Sequence, residues 1–215
     1  MTFTLEFYTN PMSRGQIVRW MLEEVGEPYE THILDYKSSM KDADYLAINP
    51  MGKVPAIRHN GVVVTEVAAI CAYLADAFPA AGLAPLIDQR GDYYRWLFFA
   101  SGPVEAAFTN KAAGFEVPVE RRSMFGYGTF ELAIDTLEQA VIGKEYVAGD
   151  RFTAADLYVG SQLGFMLQFG LLEARPAFSE YVARITDRPA YVRAKKIDAD
   201  LIAASKPAQP AEEAL

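Results

Sequence analysis

The chain has 215 residues, room for one large domain or two small ones at roughly 150 residues per domain. Apolar residues make up 51% of it, with 13 Phe and 12 Tyr, which is enough to fill a core and excludes a disordered chain. Its 20 Lys and Arg stand against 28 Asp and Glu, a net charge of −8 that excludes general affinity for nucleic acid or for a strongly acidic partner, and its one cysteine, Cys71, excludes an internal disulfide and a Cys-x-x-Cys redox pair.

Apolar residues alternate at Phe3, Leu5 and Phe7, the pattern of a half-buried strand. Ser13-Arg14-Gly15-Gln16 fits a Ser-x-x-Gln capping box. Ile17, Trp20, Met21 and Val25 follow at helical spacing, and Gly26 closes the helix. Residues 29–34 form a short extended run, so strand, helix and strand predict a parallel βαβ unit. The polar stretch over 35–50 holds a short helix around 41–47. Residues 54–58 and 62–64 predict a hairpin closed by the Asn60-Gly61 turn. Residues 66–78 read as a helix with Val67, Ile70, Cys71 and Leu74 on one face.

Beyond a Pro- and Gly-containing linker at 79–85, no strong strand pattern recurs. Tyr94, Leu97, Phe98 and Ser101 lie along one helix, which Gly102-Pro103 should break or kink. Further helices are predicted over 120–142 (weakened by Gly126 and Gly128), 153–169, 177–186 and 190–197, and the tail from Ala203 is expected to fray. The fold class is α/β plus all-α: a small domain over 1–79, a linker over 80–88, an all-helical domain over 89–205 and a flexible tail over 206–215. The two histidines, His32 and His59, are too scattered for a metal cluster, so no metal is expected. No apolar run reaches the ~18 residues of a membrane span. The N-terminus has neither a basic n-region nor a cleavage site, so a cytoplasmic protein without membrane or nucleic-acid partners is the expectation.

Three local patterns carry a family resemblance. Asn49-Pro50-Met51-Gly52-Lys53-Val54-Pro55-Ala56-Ile57, placed between a βαβ unit and a hairpin, resembles the N-terminal domain of glutathione transferases. Glu66-Val67-Ala68-Ala69-Ile70 resembles that family's Glu/Gln-Ser-x-Ala-Ile helix opening. Phe152-Thr153-Ala154-Ala155-Asp156-Leu157 is similar to its Ser/Thr-x-x-Asp box. The resemblance implies a thioredoxin-like first domain that binds glutathione, a helical second domain and a homodimer. It also implies transfer of glutathione to a small hydrophobic electrophile. A glutathione-dependent isomerase or peroxidase, or a non-catalytic glutathione-binding or regulatory protein, are alternatives on the same fold.

Pro55 sits in a strand candidate, where proline cannot donate to the ladder. In the resembled family this proline follows a cis bond, which presents the main chain of Val54 to a peptide ligand as an added strand. Glu66 and Val67 open a helix whose N–H groups suit the γ-glutamyl carboxylate, with Glu66 on the peptide's ammonium. A first-turn acid favoured by the helix dipole also explains Glu66. Val67 stands where the family has Ser, a lost hydroxyl donor worth about 1.5–3 kcal/mol. Lys53, with Lys37 or Lys41, suits the glycyl carboxylate.

A free thiol has a pKa near 8.5, and the family activates it with a Tyr, a Ser or, in some bacterial classes, a Cys near the first strand and helix. No Cys lies there. Ser13 is the first candidate, with Tyr8 and Asn10 as competitors, although capping alone also explains Ser13. Thr153 and Asp156 read as structure, Cys71 as a small core residue, and Arg14 and Arg19 as surface charges. Tyr93 to Phe99 and Phe108, with Phe125 and Tyr127, are the expected aromatic wall for the electrophile.

Overall fold

A computed structural model describes residues 4–205. In it, β1 (Leu5–Thr9), α1 (Gly15–Val25) and β2 (Glu30–Ile33) form the expected βαβ unit, with the two strands parallel. The predicted strand residue Phe3 lies outside the described residues. After a short 3-10 turn and α2 (Ala43–Leu46), β3 (Ala56–His59) pairs antiparallel with β1, and β4 (Val62–Thr65) antiparallel with β3. The sheet order is β2-β1-β3-β4. His59 pairs with Val62, so the hairpin turns on Asn60 and Gly61 alone. Both take positive φ, 48° and 86°, as a type I′ turn demands. α3 (Val67–Ala77) turns Val67, Ile70, Cys71 and Leu74 inward, and burial pushes the Cys71 thiol up to about 12.

The register places one end of every strand at the same sheet edge. Thr9 lies opposite Ile33, Tyr8 opposite Ala56, and Ala56 opposite Thr65. The loops after β1 and β2, the loop before β3 and the start of α3 therefore meet along that edge.

The second half is helical among the described residues: α4 (Gly91–Phe99), α5 (Glu105–Ala112), α6 (Phe130–Val141), α7 (Ala154–Gln168), α8 (Pro176–Thr186) and α9 (Pro189–Ser205). Gly102-Pro103 does not break the first of these. Pro103 sits in a π-helical turn over Ala100–Val104 that joins α4 to α5, a widened ladder that accommodates the missing N–H. The inward face of α4 is Tyr93, Trp96 and Leu97, whereas Tyr94 and Phe98 stack together and face outward. Residues 93–99 are apolar nearly all round, so spacing alone does not choose between the two faces.

The helix predicted over 120–142 is two elements. A 3-10 stretch over Val119–Met124 ends before Gly128 (φ 66°), and Thr129 restarts the chain as α6 by accepting from the Leu132 N–H at 3.1 Å. α9 continues well past its predicted end at 197 and keeps Ala203 helical, against the expectation of fraying. The tail expected over 206–215 lies outside the described residues. No described helix is long and apolar enough to cross a membrane. Thr153 and Asp156 do form a capping box at the start of α7. Asp156 also accepts from the Val147 N–H and the Tyr181 hydroxyl, each at 2.6 Å, while burial holds its pKa up.

The length of α9 has a physical source in α1. Arg19 is no surface charge: it is 1% exposed, and its Nε donates to Asp198 Oδ1 at 2.7 Å. Its Nη1 reaches the Tyr29 hydroxyl at 3.2 Å. Around this buried pair, Arg188 donates to Glu24 at 2.6 and 2.8 Å, and Arg193 to Glu23 at 3.0 Å. Arg14 pairs with Glu105 of α5. Arg19 Nη2 and Asp198 Oδ2 have no hydrogen-bond partner. Asp198→Ala alone strands a buried guanidinium and is expected to destabilise the protein by about 3–5 kcal/mol in urea unfolding. Arg19→Met with Asp198→Leu is expected to recover most of that loss, because the apolar pair has no desolvation penalty.

Candidate functional site

A cavity of about 660 Å³ opens between the sheet edge and helices α7, α8 and α9, within the ~300–1,000 Å³ range of small-molecule sites. Its first-domain wall comes from Met12, Ser13, Arg14, Tyr36, Lys53 and Val54, on loops that the strand register brings together, and from Gln16 and Ile17 in the first turn of α1.

Ser13 precedes α1. Its hydroxyl donates to the Asn10 carbonyl at 2.7 Å and accepts from the Gly15 N–H at 2.9 Å. The predicted capping box is not formed: the Gln16 oxygen that would accept from the Ser13 amide accepts from Lys195 at 2.9 Å, while its amide nitrogen donates to the Pro11 carbonyl at 2.6 Å. The Ser13 amide donates instead to Asn10 O at 3.0 Å. The Arg14 N–H has no acceptor among the described residues. Glu105, which holds the Arg14 guanidinium, also accepts from Gln162 Nε2 at 3.0 Å.

Tyr8 and Asn10 do not line the cavity. The Tyr8 hydroxyl donates to Glu6 at 2.5 Å, and its ring stacks on His32. Burial first, and then Glu6, push its pKa up to about 12, so it supplies no phenolate near neutrality. Asn10 builds the loop: its amide donates to Leu34 O at 2.8 Å, and its oxygen accepts from the Met12 N–H at 3.0 Å.

The Val54–Pro55 peptide bond is cis. The carbonyl of Lys53 accepts from the Tyr45 hydroxyl at 2.5 Å and from Asn49 Nδ2 at 2.8 Å, which fixes the turn. The N–H and C=O of Val54 itself have no partner among the described residues. Pro55 is buried and lies off the cavity wall. Lys41 donates to the Gly52 carbonyl at 2.9 Å and so braces the same loop, and Lys37 is not on the wall. Glu66 and Val67 stand at the sheet edge beside the start of β3, outside the cavity wall. Glu66 is exposed, with φ 66°, a backbone region few non-glycine residues adopt, and no side chain caps α3 there.

The aromatic wall differs from the expected one. Tyr93 and Trp96 belong to the core, and the cavity is faced by Phe165 of α7 and Tyr191 of α9, with Phe169 beyond the end of α7; Trp20 of α1 backs the wall at 1% exposure. Phe108 packs edge-on behind Phe165, with centroids 5.8 Å apart. Phe165 and Phe169 are four residues apart, a helix-face pair that was available in the sequence. Gly15 was a second signal. A Cβ there would lie 1.9 Å from Thr9 Oγ1 and 2.9 Å from Ser13 Oγ, so only glycine lets α1 begin against the end of β1. Gly15→Ala is expected to displace the Ser13 turn and lower stability by about 1–3 kcal/mol, measured by urea denaturation.

Comparison with known proteins agrees with this geometry. Residues 12–77 match the model of the glutathione S-transferase N-terminal domain, and residues 129–189 that of its C-terminal domain. The chain is 30% identical over 223 residues to an uncharacterized GST-like protein of Streptococcus mutans, covering 90% of this chain and 82% of that one. It is 27% identical over 209 residues to the glutathione S-transferase GST-4.5 of Xanthomonas campestris, covering 90% and 100%. A sphingomonad glutathione S-transferase solved with glutathione superposes with a TM-score of 0.74 at 28% identity, covering 90% of this chain and 98% of the other. A thioredoxin-like sheet domain and a helical domain in this order, both matched by their family models, make the chain a member of the glutathione S-transferase family.

Proposed function

We propose that the chain binds glutathione along the sheet edge and activates its thiol to attack an apolar electrophile seated against Phe165 and Tyr191. The observation that carries this reading is the unpaired main chain of Val54 beside the start of α1 on one cavity wall. The cysteinyl backbone of the tripeptide pairs with the Val54 N–H and C=O as a short added strand. Lys53 takes the glycyl carboxylate. The first amides of α3 take the γ-glutamyl carboxylate, and Glu66 takes the ammonium. With Val67 in place of the family's Ser, those amides act without a hydroxyl donor. Relatives named glutathione S-transferases and the glutathione-bound sphingomonad structure support this placement.

Of the three candidate donors, only Ser13 lines the cavity. Its hydroxyl serves the sulfur by turning its proton from the Asn10 carbonyl toward the cavity, while still accepting from Gly15. The Arg14 N–H and the positive end of α1 add to the same anion. The sulfur then bonds to the electrophilic carbon, and the leaving group departs with its electron pair. In this reading the working assembly is a cytoplasmic homodimer with a detoxifying role, and the exposed Tyr94–Phe98 pair of α4 suits a buried contact.

One observation favours a second reading, a non-catalytic glutathione-binding protein: the Ser13 proton is already donated within its own turn. Retention on immobilised glutathione, followed by turnover of a generic aryl halide, separates the two. Retention with turnover supports transfer, retention without turnover supports binding alone, and no retention overturns both. For a transferase, Ser13→Ala is expected to raise the pKa of the bound thiol by about one unit, the loss of one hydrogen bond to a charged group. The rate therefore falls about tenfold at pH 6.5 and much less at pH 9, where the thiol ionises unaided. Tyr8→Phe is expected to change kcat/KM less than twofold at either pH.

A further inference from the structure

We propose that the second substrate is an aromatic electrophile carrying a carboxylate, which Lys195 of α9 binds where its ammonium meets the first turn of α1 on the cavity wall; the proposal rests on the transferase reading above. In a chain of net charge −8, the cavity wall holds three cations, Arg14, Lys53 and Lys195, and no Asp or Glu. Arg14 is matched by Glu105. Lys53 and Lys195 form no ion pair among the described residues, and they come from different elements of the wall, one from the loop before β3 and one from α9. One tripeptide carboxylate goes to Lys53 and the other to the start of α3, which leaves Lys195 for the other ligand.

The ammonium of Lys195 is held in place without being neutralised. It donates to Gln16 Oε1 at 2.9 Å and lies 5.9 Å from the Tyr191 ring centroid. Gln16 is itself fixed, because its amide nitrogen donates to the Pro11 carbonyl at 2.6 Å. Two of the three ammonium donors thus remain for a ligand. Of the two carboxylates on the same helix, Asp200 pairs with Lys196, and Asp198 is 3% exposed and bonded to Arg19, so it feels the field of Lys195 but does not pair with it. Tyr191, one turn before Lys195 on the same wall, offers a half-buried ring face for an aryl group.

A matched pair of compounds tests this: 4-chloro-3-nitrobenzoate and 4-chloro-3-nitrobenzamide. With either, the glutathione sulfur bonds to the ring carbon bearing chlorine, the C–Cl bond breaks, chloride leaves with the electron pair, and the thiol proton goes to solvent. The carboxylate or amide is unchanged. After normalising to each compound's uncatalysed rate, kcat/KM for the acid is expected to exceed that for the amide, and the advantage to shrink as NaCl is raised. Lys195→Gln lowers the acid's kcat/KM about tenfold and the amide's less than twofold, while Lys195→Arg restores the acid.

Binding of both compounds to the protein held with S-methylglutathione, followed by tryptophan quenching, gives a readout independent of turnover. Tighter binding of the acid, lost in Lys195→Gln, upholds the carboxylate site even if no chloride is released, in which case the transferase reading alone fails. Turnover of both compounds with no preference for the acid overturns the proposal and leaves the reading standing. So does a Lys195→Gln variant that weakens acid and amide equally, or that raises the KM for glutathione.

Discussion

The ion pair between Arg19 and Asp198 ties the two halves of the molecule together, and the cavity exists where it does because of that tie. α1 has two tasks. Its N-terminal turn faces the cavity, and its flank carries Arg19, Glu23 and Glu24 against α9 and the turn before it. A buried ion pair gives little net stability, since desolvating both charges offsets their attraction. What it gives is position: a guanidinium with a 1% exposed side chain has one acceptable partner, so α9 has one acceptable register along α1. That register brings Tyr191 and Lys195 opposite the Ser13 turn and completes a wall that the first domain cannot make alone.

The first-domain wall follows from backbone geometry more than from side chains. Strand register gathers the loops at one edge, and Gly15 removes the one Cβ that would hold α1 away from Thr9. Tyr8 and Asn10, both near that edge, are used up in holding it. One is hydrogen-bonded to Glu6 beneath the sheet, and the other bridges the loops after β1 and β2. A polar residue close to a site in sequence is often what shapes the site, and the separating evidence is where its hydrogen bonds go.

Local determinants were legible in the sequence, and long-range ones were not. The Asn60-Gly61 hairpin was readable because two residues supply the positive φ values the turn needs. The Thr153–Asp156 box was readable because its two partners lie three residues apart, while Ser13-x-x-Gln16, with the same pattern, forms no box. The difference is competition from afar: the Gln16 oxygen that would close the box accepts from Lys195, 179 residues away. Arg19 looked like an ordinary helix-surface arginine because its partner is 179 residues away. The aromatic wall was misplaced because α4 is apolar almost all round, and only packing decides which rings are core.

The cations at the cavity wall bear on how such a protein takes up anions at all. A net charge of −8 repels glutathione and any acidic acceptor at long range, so attraction must arise within about one Debye length, ~8 Å at physiological salt. A wall with Arg14, Lys53 and Lys195 and no carboxylate is arranged for that, because low-dielectric walls focus the field of the few charges they carry. Glu105 then acts as a divider. By holding Arg14 it neutralises one of the three cations and leaves Lys53, on the loop before β3, and Lys195, on α9, without an ion pair among the described residues.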